Sequence, residues 1–270
     1  MQSVTKSFLC VLVLFLTSVL SAQHISDSQP VQSEHESYLP AGTAIPVALP
    51  RLSSSHLKPG DKIVAKTTQV IVLEDEQEVP AGSKLTGHVV DAIPQKPSSV
   101  AIEFDTLHFH GHEISVRVAL RAMTTFPMAQ SARHGDALDP SPSPVFMMYR
   151  LIGGDFFRDR EGPVYTSWGA KVGMSTRKGV FERLANLQAL RDSDRVLCPA
   201  TDTVQSVGVF SSQACGLYGF GSLTVEDVVS SDQNHITIRF ASQKRTVRIA
   251  SGAEALLQVI GTDAVPKVAH

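Results

Sequence analysis

Between Leu39 and Met123 the chain repeatedly writes short β-branched runs and closes each with a turn signal. The runs are 43–49, 62–73, 84–92, 99–109 and 113–123, and several alternate apolar with polar residues. Val100, Ile102, Phe104 and Leu107, then Ile114, Val116, Val118 and Leu120, approximate the period of two expected of half-buried strands. The punctuation is specific. Pro59-Gly60 and Gly111 fall between runs, and Pro40-Ala41-Gly42-Thr43 is echoed by Pro80-Ala81-Gly82-Ser83. Proline presets φ and glycine supplies positive φ, so the echoed phrase reads as a tight turn with proline second, opening onto a strand. Short strands with regular turns predict a mainly β fold, a small β-barrel or sandwich.

The phrases that carry the turns also carry a resemblance. Gly42, Pro59, Gly60, Pro80, Gly82, Ser83, Gly87, Phe104, Leu107 and Gly111 match the pattern of the TrbI-type β-barrel domain, found in channel components of type IV secretion and conjugation systems. The resemblance covers residues 38–123, about a third of the chain. It implies a barrel for that segment. Channel membership is a separate implication, because that family anchors itself through a membrane helix and a long proline-rich segment.

The first residues read as a secretory signal peptide, residues 1–22. Lys6 leads an apolar run from Phe8 to Leu20, with Ser21 and Ala22 as small residues for cleavage. The run is shorter than the roughly 20 residues that span a bilayer. A polar tether follows at 23–37, and no membrane span is expected after cleavage. Export places the remaining Cys198 and Cys215 in an oxidising compartment, periplasmic or secreted, where they are expected to form a disulfide. Gln213-Ala214-Cys215-Gly216 overlaps a caspase-type nucleophile motif, but Leu217 replaces its last glycine and no histidine lies between His134 and His235. The formal net charge of −2 gives no support for nucleic-acid binding, which would want a basic face, and no nucleic-acid partner is expected.

Beyond Met123 the texture changes. Residues 124–147 hold four prolines and read as a linker or long loop between loosely coupled modules. Residues 148–270 are expected to form a second β-rich module with the disulfide and one short helix. The helix is placed at 179–191, where Phe181, Leu184, Leu187 and Leu190 recur three apart. This part resembles exported bacterial proteins of unknown function. Ser242-Gln243-Lys244 reads as a hairpin connection, and residues 216–223 as glycines giving tight entry to a strand.

Candidate chemistry is sparse. His108, His110 and His112 would share a face on one unbroken strand, and a His-x-His pair can clamp zinc. Gly111 interrupts the alternation there, so a solvated hairpin tip is expected and no metal or other cofactor is assigned. A cluster of these histidines with Asp105 or Glu113 in one pocket would instead point to a metal-dependent or hydrolytic enzyme. Ser53-Ser54-Ser55-His56 has no nucleophile-elbow glycines, and the acidic run 74–78 lacks calcium-loop spacing. Tyr165 and Trp168 are candidates to line a ligand groove. The resulting expectation is an exported, non-enzymatic binding or scaffolding module for an envelope protein or cell-wall polymer. An accessory channel subunit is the alternative that the barrel resemblance implies.

Overall fold

A computed structural model describes residues 39–73, 77–137, 147–230 and 235–261. The signal peptide, the tether, the core of the acidic run and residues 138–146 of the expected linker lie outside these. The strands in chain order begin with β1 (Ala44–Ala48), β2 (Leu52–Ser53), β3 (Lys62–Thr67), β4 (Ile71–Val72), β5 (Glu78–Val79), β6 (Lys84–Ile93), β7 (Ser98–Phe109), β8 (His112–Ser115) and β9 (Val118–Thr124). After helix α1 (Phe126–His134) come β10 (Asp136–Ala137), β11 (Met147–Arg150), β12 (Phe156–Phe157), β13 (Gly162–Tyr165), β14 (Lys171–Thr176), β15 (Gly179–Glu182) and β16 (Gln205–Ser206). The last are β17 (Gly216–Tyr218), β18 (Leu223–Val229), β19 (Ile236–Ser242), β20 (Arg248–Ile249) and β21 (Glu254–Val259).

The main sheet has ten strands in the order β17-β9-β21-β1-β3-β6-β7-β19-β18, with β8 paired to β7, and curls into a nearly closed barrel. Its interior is one cluster that includes Ile45, Val47, Leu85, Val89, Ile102, Leu107, Leu120, Phe240 and Leu257. Strands β10 to β16 form a separate seven-stranded meander. The meander and α1 cover the outside of the barrel wall: Ala44, Ala122 and Leu256 from β1, β9 and β21 share a second cluster with Ala129, Tyr149, Phe157 and Phe210.

The echoed phrase shows why it ends in Ser or Thr. Gly42 and Gly82 have φ of 91° and 85°, as expected for the third position of the turn. Proline, however, is first rather than second: the amides of Thr43 and Ser83 donate to the carbonyls of Pro40 (3.1 Å) and Pro80 (3.3 Å). The hydroxyls donate to the same carbonyls, Thr43 Oγ1 at 2.8 Å and Ser83 Oγ at 2.7 Å. Ala occupies the second position, and the Pro-first turn is fastened twice before each strand begins. Pro59 does sit second, in the turn closed by Asp61 N to Lys58 O at 3.1 Å. Gly87 answers a different need. A Cβ there would lie 1.9 Å from the Glu103 carbonyl, at a register shift between β6 and β7.

Several expectations need correction. The barrel is not complete within 38–123, and 124–147 does not separate loosely coupled modules. Strands β17, β19 and β21 from the C-terminal part pair with β9, β7 and β1, and β18 extends the sheet from β19, so the described residues from 39 to 261 form one compact unit. Closing a barrel needs more strands than the first segment supplies, and the second supplies them. The one described helix is α1, inside the expected linker, where Pro127 sits in its first turn. Residues 179–182 are strand, and the rest of the 179–191 segment is irregular because its amides have remote acceptors. Leu184 N donates to Thr201 Oγ1, Ala185 N to Ser212 O and Leu187 N to Cys198 O. Finally, β20 pairs with β2 and not with β19, so Ser242–Lys244 does not join a hairpin.

Candidate binding groove and the polar centre behind it

Where α1 and the meander meet the barrel, they leave an open groove of about 760 Å³. Its floor is apolar. Tyr149 of β11 stacks on Phe157 of β12 with ring centroids 4.8 Å apart and planes at 8°, and Leu151, Val180 and Val209 extend the surface. Ala129 and Ala132 of α1 are small enough to let the helix lie close beside it. The rim carries Arg133, Arg160, Arg177 and Lys178. Three of these have carboxylate partners: Arg133 makes a two-pronged pair with the buried Glu254, Arg177 pairs with Glu161 at 2.5 Å, and Lys178 pairs with Glu78. Arg160 alone has none among the described residues; its Nε donates to the Tyr149 hydroxyl at 3.3 Å. That bond to Tyr149 holds the guanidinium charge more firmly still.

One residue that sequence reading overlooked locks the groove's far wall to the barrel. Gln69, between β3 and β4, uses its side-chain amide as a strand would use its backbone. Its Oε1 accepts from Val180 N at 3.1 Å and its Nε2 donates to Val180 O at 2.9 Å and to Ser206 Oγ. Ser206 Oγ then donates to Val70 O at 2.7 Å. This exit of Gln69 is why the expected 62–73 strand is two strands, β3 and β4.

Behind the meander lies a buried polar centre. Arg121 is fully buried at a register shift where Leu120 pairs with Leu257 and Ala122 with Leu256, leaving it as the extra residue. Its guanidinium donates to the carbonyls of Pro199 (2.7 Å), Ala185 (2.6 Å) and Ser212 (3.0 Å) and to Gln258 Oε1 (3.3 Å). Burial lowers its pKa to about 10, so it stays charged at neutral pH. The three carbonyls belong to the irregular segments on either side of the Cys198–Cys215 disulfide, whose Cα atoms are 6.1 Å apart. Beside them, Ser212 N is shared by two buried carboxyls, Asp155 Oδ2 at 3.1 Å and Glu182 Oε2, and Ser212 Oγ donates to Asp155 at 2.6 Å. Burial, then the charge of Asp155, pushes the Glu182 carboxyl well above the usual range.

The same segment seals the barrel. Its two edge strands, β17 and β18, are joined through Asp194, which accepts from Leu217 N and Val225 N, both at 3.3 Å. Asp227 joins β9 to the segment by accepting from Leu120 N and Leu197 N, both at 3.0 Å. Burial raises the Asp227 carboxyl to about 7 despite these two amides.

The other sequence candidates sit elsewhere. His110 (φ 48°) and Gly111 (φ 81°) form the two-residue turn between β7 and β8, so the hairpin tip is as expected. His108 is held by Thr86 Oγ1 at 2.9 Å and Glu113 at 3.1 Å, while Asp105 pairs with His88 at 3.5 Å. No group of three or more His, Cys, Asp or Glu side chains positioned to hold a metal occurs among the described residues. Ser53 Oγ bonds Ser55 Oγ at 3.0 Å, and Ser54 Oγ accepts from Val247 N at 3.1 Å. Tyr165 and Trp168 do not line the groove: Tyr165 packs on Phe156 at 6.1 Å, and Trp168 is 68% exposed at the β13–β14 turn. No protein-family model, curated protein or solved structure matches the chain.

Proposed function

We propose that this is an exported envelope protein acting as a non-enzymatic binding or scaffolding module, with the α1–meander groove as the seat of its partner. The observation that carries the reading is the pairing of a stacked Tyr149–Phe157 floor with Arg160, the one rim cation that has no carboxylate partner among the described residues. Such a surface suits a protein segment that presents an aromatic or aliphatic side chain next to a carboxylate. The disulfide supports an oxidising compartment, and no described helix is long and apolar enough to cross a membrane. A second reading, an accessory subunit of a type IV secretion-like channel, draws on the nearly closed barrel and on the TrbI-type resemblance of 38–123.

Both readings are tested by isolating the tagged chain from mildly cross-linked envelope fractions, beside an Arg160→Glu variant. Arg160 is exposed, so its reversal leaves the fold intact. We expect a discrete envelope protein with the parent chain and its loss with the variant. Recovery with secretion-channel subunits, insensitive to the variant, supports the second reading. Recovery of the chain alone in both samples overturns both.

A further inference from the structure

A second groove lies away from the first, between the β17–β18 loop and the segment that links β19 to β20. Its volume is about 470 Å³, and it is lined by residues 219–223 together with Ser242, Lys244, Arg245, Thr246 and Arg248. Lys244, Arg245 and Arg248 are all exposed, and none makes an ion pair to a described residue. Among the described residues, no Asp or Glu lines the groove. This contrasts with the larger groove, where three of four cations are neutralised by carboxylates. Like charges gathered without counter-charges repel one another, and in a chain of formal net charge −2 they form an isolated positive trough. The opposite wall adds uncharged donors. Gly221 has open space where a side chain would be, the Ser222 hydroxyl is at hand, and the amides of Gly221 and Ser222 donate to no described residue. Cations on one wall and free backbone amides on the other are the two elements of anion recognition.

We propose that this trough binds an extended anionic polymer, one that presents phosphate or carboxylate groups at regular intervals. Its openness and its three separate cations suit several charges along a chain better than one enclosed ion. The proposal goes beyond the partner-binding reading and does not depend on it, since the two grooves share no residue.

The test is titration of the signal-free chain with inorganic polyphosphate and with polygalacturonate, at low and at physiological salt. Variants are Lys244→Glu/Arg245→Glu and, as control at the other groove, Arg177→Glu/Lys178→Glu. The parent is expected to bind at least one polymer, more weakly as salt rises, and the first variant to lose about tenfold or more while the control stays within about twofold. Thermal melts confirm that both variants fold, since all four positions are exposed. Absence of binding by the parent, or an equal loss in the control, overturns the proposal. Binding only to anionic lipid vesicles, with neither free polymer bound, also overturns it. A negative result here leaves the Arg160-dependent partner test unaffected.

Discussion

Strands β3 and β9 belong to the same sheet, yet only β3 alternates. Along Lys62–Thr67 burial runs out, in, half, in, out, in, while every residue of Val118–Thr124 is buried. The outside of β3 faces water, so lysines occupy it. The outside of β9 is covered, so Ala122 sits there among meander residues, along with the buried Arg121. A period of two therefore marks wet wall, not wall in general. Where a second layer covers a barrel, the strand signal weakens and the hydrophobic run becomes continuous.

The two kinds of wall are also held differently. The wet wall rests on apolar side chains meeting inside one barrel. The covered wall depends on Arg121, whose charge is shared among carbonyls from three irregular segments. The largest predicted effect follows from that dependence. Arg121→Ala strands those carbonyls and opens a cavity, at a cost of about 3–5 kcal/mol. Chemical denaturation should show it, and residues 183–215 should lose hydrogen-exchange protection before the β3–β6–β7 wall does. Uniform loss across both walls would show that the covered wall is not a separate zone of weakness.

The disulfide is the next test of the same contrast. Cys198 and Cys215 are 17 residues apart, and closing a loop of that size stabilises by about 3 kcal/mol. Replacing both by serine should lower stability by about that amount. The loss should concentrate at the seam that Asp194 and Asp227 hold between β17, β18 and β9, because the bridge tethers that segment. Equal protection at the seam with and without the bridge would assign closure to the aspartates alone.

These differences explain what was legible in the sequence. The strands β1, β6 and β7 and the turn glycines were readable, because local alternation and positive φ are local facts. The disulfide was readable from compartment and count. The division into modules was misread, since the closing strands lie more than 80 residues beyond β9 and strand partners leave no trace in either segment. The helix at 179–191 was misread because a three-residue apolar spacing also arises where a chain dips into a core at intervals. The groove was missed for a related reason. Tyr149, Phe157 and Arg160 are unremarkable in sequence and become a surface only when α1 and the meander converge. Gln69 carried no signal at all, since an amide acting in place of a strand is visible only once its partner Val180 is placed.

The smallest effect tests the most legible feature. Each Pro-Ala-Gly turn is fastened by a backbone bond and by a hydroxyl to the same proline carbonyl, and Pro80 O also accepts from Thr67 Oγ1 at 2.8 Å. Ser83→Ala removes one of three donors while leaving the carbonyl satisfied, so it should cost about 0.5–1.5 kcal/mol. Thr43→Val removes the only hydroxyl that donates to Pro40 O among the described residues, and should cost at least as much because that carbonyl keeps a single described donor where Pro80 O keeps two. Equilibrium unfolding of the two variants side by side separates these cases. A larger loss at Ser83 would mean that the wet wall, for all its regular alternation, depends more on its turn than on its packing.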